Sequence, residues 1–97
     1  MREALRLGTR GGAAVLGRSD LGSLEPGKCA DFAVWRMDSL EFGGADDPVA
    51  ALVLSGPHRV ERLYVGGEPA VLDGELVRVD EREIAAEQRV QAARFVD

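Results

Sequence analysis

The chain has 97 residues, with 12 Lys and Arg against 17 Asp and Glu, and therefore a formal net charge of −5. A nucleic-acid-binding face needs clustered basic side chains to neutralise phosphates, so this acidic balance argues against a nucleic-acid partner. The longest apolar stretch, Val49–Leu54, is far shorter than the roughly 20 residues that span a membrane, and no secretory leader opens the chain. We therefore expect a cytoplasmic protein with no membrane partner.

The single cysteine, Cys29, has no second cysteine with which to form an internal disulfide, so packing or a partner must stabilise the chain. A domain of about 100 residues buries only roughly 60–65% of its unfolded surface. This size permits one modest core and leaves little room for a deep catalytic cavity.

The first predicted element is a helix over residues 2–16, interrupted by Gly8, Gly11 and Gly12. Each interior glycine costs roughly 0.5–1 kcal/mol relative to alanine, so this helix requires close packing. We predict that its small face lets another backbone approach, with a loop at residues 11–12 as the alternative. Gly17 fits the left-handed residue that ends a helix.

The middle of the chain reads as β structure between turns. Pro26-Gly27 predicts a type II turn, and the apolar run Asp31–Met37 then predicts a strand covered on both faces. Asp47-Pro48 predicts a helix cap and a first helical residue, with a short helix to about Leu54, although periodicity alone does not separate this helix from a buried strand. Gly56-Pro57 breaks the chain again.

Residues 60–79 predict three antiparallel strands in a meander, with tight turns at Gly66-Gly67 and Asp73-Gly74. Pro69 lacks a backbone N–H and should lie at a strand start or on a sheet edge. We expect the β core to consist of apolar residues from these strands and the preceding one, namely Val34, Trp35, Leu63, Val65 and Leu76.

The last predicted element is a helix that begins at Asp80, with Glu83 placed as in a capping box. Its apolar stripe is mostly small and contains Ile84, Ala85, Ala86, Val90, Ala93, and Phe95 or Val96. The fold class is therefore α+β with a mainly β centre. We predict a single unit with a glycine-rich helix at 1–17, a β segment at 18–79 and a C-terminal helix at 80–97.

Residues 22–29 (GSLEPGKC) match the G-x-x-x-x-G-K part of a phosphate-binding loop but end in Cys29, where Ser or Thr is needed for magnesium. Glu25 would place a carboxylate beside the phosphates, and Pro26 removes one backbone N–H from the cradle. A strand also follows where a helix should begin. We therefore interpret this segment as a turn with Lys28 in solvent.

Residues for a metal or nucleophile site are scarce, because the chain has one His and one Cys. Asp46-Asp47 is more typical of a loop and helix cap than of a weak cation site. His58 is interpreted as a surface residue, with a role as lone general base as the alternative. Cys29 is interpreted as a small core residue, with a pairing to His58 as the alternative.

Three segments, Thr9–Arg18, Leu21–Trp35 and Arg62–Gly74, together resemble the closing part of the amidohydrolase superfamily. The second contains the pattern G-S-L-x-P-G-K-x-A-D-F. Asp47–Val53 (DPVAALV), which precedes Gly56-Pro57, resembles the branch of 8-oxoguanine deaminase and the triazine hydrolases. The resemblance covers nearly the whole chain.

The resemblance implies that residues 1–17 form the last helix of a (β/α)₈ barrel and that residues 18–79 belong to a partial β-sandwich, the composite domain of metal-dependent hydrolases. It implies that the H-x-H pair, further histidines and a late aspartate that bind the metal all precede the position of Met1. No catalytic, cofactor-binding or metal-ligating residue is therefore assigned to this chain.

In the complete family enzyme, zinc or iron lowers the pKa of bound water for attack on a C–N or C–Cl carbon. The resemblance gives Asp20, Asp31 and Asp46 no part in holding that ion, and no cofactor is expected in this chain alone.

Two hypotheses follow. In the first, the chain is a structural C-terminal segment of an amidohydrolase-like deaminase or hydrolase acting on C–N bonds of a nitrogen heterocycle, inactive without the barrel portion. In the second, it is a free-standing interaction module that forms a homo-oligomer through exposed sheet edges and has no enzymatic activity. An enzyme that uses Cys29 or His58 ranks third.

Overall fold

A computed structural model describes residues 1–38, 40–44, 46–55 and 58–96 of the chain. It shows an α+β fold, as predicted, with a helix at each end and a four-stranded sheet between them. The elements in chain order are α1 (Arg2–Arg6), a π-helical turn (Leu7–Gly11), α2 (Gly12–Val15), β1 (Phe32–Val34), a 3₁₀ turn (Leu40–Phe42), α3 (Pro48–Leu54), β2 (Arg62–Val65), β3 (Glu68–Leu72), β4 (Glu75–Leu76) and α4 (Glu81–Ala93).

The segments α1, the π-helical turn and α2 follow one another without a break, and we refer to them together as the N-terminal helix. The predicted helix is thus confirmed, and the alternative of a loop at residues 11–12 is wrong. The helix ends in a Schellman motif, with Gly17 at φ +69° and hydrogen bonds from Gly17 N to Ala14 O and from Arg18 N to Ala13 O.

A close backbone contact joins this helix to the loop that follows. A Cβ added at Gly22 would lie 3.0 Å from both the Ala13 Cβ and the Thr9 carbonyl oxygen, and Gly22 has φ +90°. Ala13 is one of the buried residues. The predicted small face is therefore confirmed at Ala13, whereas a Cβ at Gly8 or Gly12 would meet no atom of the described chain.

The two later helices begin at capping aspartates. The Asp47 carboxylate accepts from Val49 N at 3.0 Å, and the Asp80 carboxylate accepts from Arg82 N at 2.9 Å. The predicted helix after Asp47 is confirmed and the strand alternative is wrong. The chain break predicted at Gly56-Pro57 lies outside the described residues.

The sheet has the order β1-β2-β3-β4, with every neighbouring pair antiparallel. Both residues of the Gly66-Gly67 turn have positive φ, as do both residues of Asp73-Gly74, which is the conformation of type I′ hairpin turns. The predicted meander is confirmed. Pro69 lies near the start of β3 and beyond the stretch that pairs with β4, so its missing N–H interrupts no bond between these two strands.

The first strand is shorter and more exposed than predicted. The predicted strand over Asp31–Met37 contracts to Phe32–Val34, because β1 is an edge strand that pairs only along β2. Phe32 stacks on Tyr64 with ring centroids 4.7 Å apart. Ala33 and Val34 are exposed, so the prediction that both faces of this strand are covered is wrong for this chain.

Among the residues whose burial the structure describes, the buried apolar ones are Ala13, Phe42, Ala51 and Val71. The predicted β core is wrong in composition, because Val34, Val65 and Leu76 are exposed and Trp35 and Leu63 are only half-buried. The physical reason is that the sheet is a single layer, whose strands mainly contact one another. The helix α1 packs against α3. The described residues form one sheet, and a second sheet of a sandwich stays a prediction.

The chain is more extended than a self-contained domain of its mass. Its accessible surface is 7716 Å², whereas a folded monomer of 10.4 kDa exposes about 5,400 Å². Its radius of gyration is 16.8 Å, compared with about 12.5 Å for a compact domain of this length. Much apolar surface is therefore available to a partner. None of the described helices is long and apolar enough to cross a membrane.

The contact at Gly22 leads to a stability prediction. Gly22→Ala should lower the free energy of unfolding by about 1–3 kcal/mol more than Gly27→Ala, because the added Cβ overpacks the N-terminal helix. Gly27 is a matched control, since its φ of +87° imposes a similar backbone strain while its Cβ would meet open space. Urea unfolding followed by far-UV circular dichroism measures the difference. Equal losses for the two variants would contradict the proposed overpacking.

Candidate functional site

The loop that resembles a phosphate-binding motif is closed by its own side chains. Lys28 Nζ lies 2.7 Å from Ser23 Oγ and 2.9 Å from Glu25 Oε2, and Ser23 Oγ donates to Glu25 Oε2 at 2.6 Å. The bond from Lys28 N to Glu25 O and the positive φ of Gly27 fit the predicted type II turn. Lys28 is half-buried, so the prediction that it lies in solvent is wrong. A carboxylate occupies the position where an anion would have to bind.

Cys29 lies in a cluster with Arg18 and Asp20. The Arg18 guanidinium donates two hydrogen bonds to the Asp20 carboxylate, at 2.9 and 2.6 Å. The Cys29 thiol donates to Asp20 Oδ2 at 3.1 Å, and Cys29 N donates to Asp20 O at 2.9 Å. The cluster therefore closes the loop between residues 18 and 29.

The charges in this cluster oppose a nucleophilic role for the thiol. Hydrogen bonds from Arg18 and then from Cys29 hold the pKa of Asp20 well below its usual value of 3.8. The stabilising effect of this carboxylate is thus present above the usual value and is lost as the pH falls through the lowered pKa. The hydrogen bond to Asp20, with some burial, raises the pKa of Cys29, so the thiol stays protonated at neutral pH.

The other candidate residues have structural contacts. The His58 ring packs against Phe42, with ring centroids 4.4 Å apart. Asp47 caps α3 and also accepts from Arg2 Nη1 at 3.1 Å, while Asp46 is exposed. The structure thus places His58 beside Phe42 and Cys29 beside Asp20.

The feature that the sequence predictions missed is an apolar groove of about 460 Å³ between the N-terminal helix and the start of the sheet. Residues 22–24, 31–33 and 35 line it, together with Leu5, Thr9 and Leu52. Because these residues are scattered in sequence, no local pattern marks the groove. The N-terminal helix also carries exposed apolar side chains outside this groove, namely Leu7, Val15 and Leu16.

Exposed apolar surface of this kind, in a chain more extended than a complete domain, is typical of a segment that packs against further protein. The amidohydrolase family model matches residues 1–71. The chain belongs to the amidohydrolase family.

Its relatives include nitrogen-heterocycle deaminases. The chain is 43% identical over 93 residues to 8-oxoguanine deaminase from Pseudomonas aeruginosa, a match that covers 96% of this chain and 21% of that protein. It is 36% identical to an isoxanthopterin deaminase of an unknown prokaryotic organism, covering 90% of this chain and 18% of that one. The family predicted from the sequence is thereby confirmed, and the chain spans about a fifth of the length of these relatives.

Solved structures show the same fold. Atrazine chlorohydrolase from Arthrobacter aurescens TC1, complexed with zinc, matches with a TM-score of 0.83 and 40% identity over 92% of this chain and 20% of that one. An adenosine deaminase from Xanthomonas campestris with bound zinc matches with a TM-score of 0.80 and 32% identity, covering 93% of this chain and 21% of that one.

The donor groups of this chain do not fit the zinc ion that those structures hold. Between residues 1 and 96, in the parts that the structure describes, no three His, Cys, Asp or Glu side chains cluster as a metal site would require. The Asp20 and Asp47 carboxylates are already engaged by Arg18 and Arg2.

The cluster leads to a prediction on thiol reactivity. Asp20→Asn should increase the rate at which iodoacetamide alkylates Cys29 at mildly alkaline pH severalfold, because the change removes the carboxylate that raises the pKa of the thiol. Asp38→Asn is the matched control, since it removes another exposed carboxylate bonded to an arginine two residues away. A rate that is unchanged or slower in Asp20→Asn would refute the assigned role of Asp20.

Proposed function

We propose that the chain is the C-terminal segment of a zinc-dependent amidohydrolase that acts on C–N bonds of a nitrogen heterocycle, and that its own role is structural. Residues 1–17 contain the last helix of the barrel, residues 18–79 contribute one part of a β-sandwich, and residues 80–97 contain the terminal helix α4. The metal ligands and catalytic residues come from the part of the family enzyme that this chain does not cover.

One observation carries this proposal: the chain is folded yet has far more exposed surface than a complete domain. Its accessible surface exceeds that of a typical monomer by roughly 2,000 Å². Leu7, which is 74% exposed, and Val15, which is 87% exposed, lie on a helix that belongs to the matched family region. A barrel against this helix would cover side chains that water now surrounds.

The sheet supports the same proposal. Its outer strands, β1 with three residues and β4 with two, each pair with a neighbouring strand on one side only. Val34 and Val65 are exposed on a sheet that is a single layer. Strands from elsewhere in a longer enzyme would pair with an edge and cover one face, which is how a sandwich is completed.

We also propose that this enzyme is cytoplasmic. The support is chemical, because the one cysteine of the chain is a free thiol, and hydrogen bonds from Cys29 to Asp20, not a disulfide, close the loop between residues 18 and 29.

A chimera tests the proposed function. This chain should replace the matching 93-residue segment of the Pseudomonas aeruginosa 8-oxoguanine deaminase and give a folded enzyme that releases ammonia from 8-oxoguanine, because the packing surfaces are shared. The chain alone should show no such activity. An inactive, unfolded chimera would overturn the structural role, and deamination by the chain alone would overturn the assignment of the chemistry to the rest of the enzyme.

A matched pair of substitutions tests the packing surface. Leu7→Gln should lower the melting temperature of the chimera, because removing a buried leucine and burying an amide costs about 2–5 kcal/mol. The same change in the chain alone should cost less than about 0.5 kcal/mol, because Leu7 is exposed there. Arg6→Gln, on the neighbouring position, is the control and should be nearly neutral in both. Equal effects of Leu7→Gln in chimera and chain would show that this helix face does not pack.

The exposed edges also favour the second candidate function, a self-associating module without enzymatic activity. In that case the edges of two copies pair through β1 or β4. Sedimentation of the chain tests this module, since a stable monomer at micromolar concentration rules it out.

A further inference from the structure

Among the described residues, the hydrogen bonds and ion pairs that join the C-terminal helix α4 to earlier elements come from its first turn. Glu81 accepts hydrogen bonds from Leu76 N at 3.2 Å and from the Arg59 guanidinium at 3.0 Å. Glu81 and Ala85 are the half-buried residues of this helix, and none of its residues is buried. A helix of 13 residues without packed side chains is marginal in water, so α4 requires a partner on at least one further side.

The side of α4 that faces away from Glu81 and Ala85 carries a defined charge pattern. Glu83, Glu87, Val90 and Arg94 follow at spacings of four, three and four residues, and therefore lie in one row along the helix. We call these four residues the outer row. It is acidic at its N-terminal end, basic at its C-terminal end and apolar between them.

The charged groups of the outer row have no ionic partner in the described chain. The Glu87 carboxylate accepts from the Gln91 amide at 2.7 Å, and Arg94 donates to Gln91 at 3.3 Å. Glu83 makes no side-chain hydrogen bond or ion pair with any residue that the structure describes. The cap is formed by the Asp80 carboxylate, which leaves the Glu83 carboxylate available.

From this pattern we propose that the outer row is a self-association surface, which pairs α4 with α4 of a second copy in antiparallel orientation. In a two-fold arrangement the same patch meets itself, so residue i of one copy contacts residue j of the other and the reverse. Placing Glu83 against Arg94 of the second copy creates two ion pairs at once. Val90, which is 51% exposed, then lies near the axis against the stem of Glu87 of the second copy.

The complementarity selects a second copy over an unrelated partner. An antiparallel pair places each acidic end against a basic end and also aligns the helix dipoles favourably. A parallel pair would place Glu83 beside Glu83, which is repulsive. The outer row shares no residue with the apolar groove or with the strands of the sheet.

A single helix pair is small compared with the about 800 Å² per partner of a standard stable interface, so the dimer is weak. We expect a dissociation constant in the micromolar range, and dissociation in 0.5 M salt because the ion pairs are solvent-exposed.

Charge reversal on the full chain tests the proposal, with sedimentation velocity from about 5 to 200 µM as the measurement. Arg94→Glu and Glu83→Arg should each weaken dimerisation about tenfold or more, because each places like charges opposite one another. The double variant Glu83→Arg/Arg94→Glu should restore it, since the ion pairs form with exchanged signs. Arg82→Glu is the matched control: it changes the net charge as Arg94→Glu does, but on another side of the helix.

The double variant also separates pairing from helix stability, because both of its substitutions oppose the helix dipole and would weaken the helix further. A monomeric wild-type chain, a double variant that stays monomeric, or association that none of the substitutions affects would each overturn the proposal. The last result would indicate sheet-edge pairing instead. Activity of the chimera is measured separately, so failure of this proposal leaves the proposed enzyme function standing.

Discussion

The contact of Gly22 with the N-terminal helix determines how the helical and β parts of the chain are joined. Its backbone approaches Ala13 and Thr9 at a distance that leaves no space for a side chain. The Arg18–Asp20–Cys29 cluster then closes the loop that contains Gly22. The chain consequently reaches the sheet from a fixed point on the helix.

From that point the loop is bonded directly to the first hairpin. Ala30 O accepts from Gly67 N at 2.9 Å, and the Asp31 carboxylate accepts from Gly66 N at 2.7 Å. These bonds hold the turn between β2 and β3 against the residues that lead into β1. Helix, loop and sheet therefore form one connected scaffold even though few side chains are buried, because backbone and polar contacts replace a large core.

Local chemistry made most of the element boundaries predictable. The turns at Gly66-Gly67 and Asp73-Gly74 require positive φ, and the caps Asp47 and Asp80 supply an acceptor for free N–H groups, so each is encoded by neighbouring residues. Burial was not predictable in the same way. Val65 has the residue type of a core position but lies exposed, because burial depends on a covering layer that neighbouring residues do not specify.

In the candidate site, too, features formed by neighbouring residues were predictable and features formed by distant residues were not. The sequence resemblance identified the family, since its motifs record turns and close contacts that this segment itself must form. It did not mark the apolar groove, whose walls come from Leu5, Phe32 and Leu52, far apart in the chain. Likewise, cysteine is a residue type that can act as a nucleophile. The Cys29 thiol, however, donates a hydrogen bond to the Asp20 carboxylate, which favours the neutral form of the thiol.

The contacts of the carboxylates in this chain differ from those that a metal site needs. In the proposed function, this segment positions a barrel helix and needs shape and rigidity. Its carboxylates serve that role best when arginines and backbone N–H groups engage them, as with Asp20 and Asp47. A metal site needs the opposite, namely carboxylates and imidazoles free to face an ion. Carboxylates engaged in this way are not free to face an ion, which supports the proposal that the zinc ligands of the complete enzyme lie outside this chain.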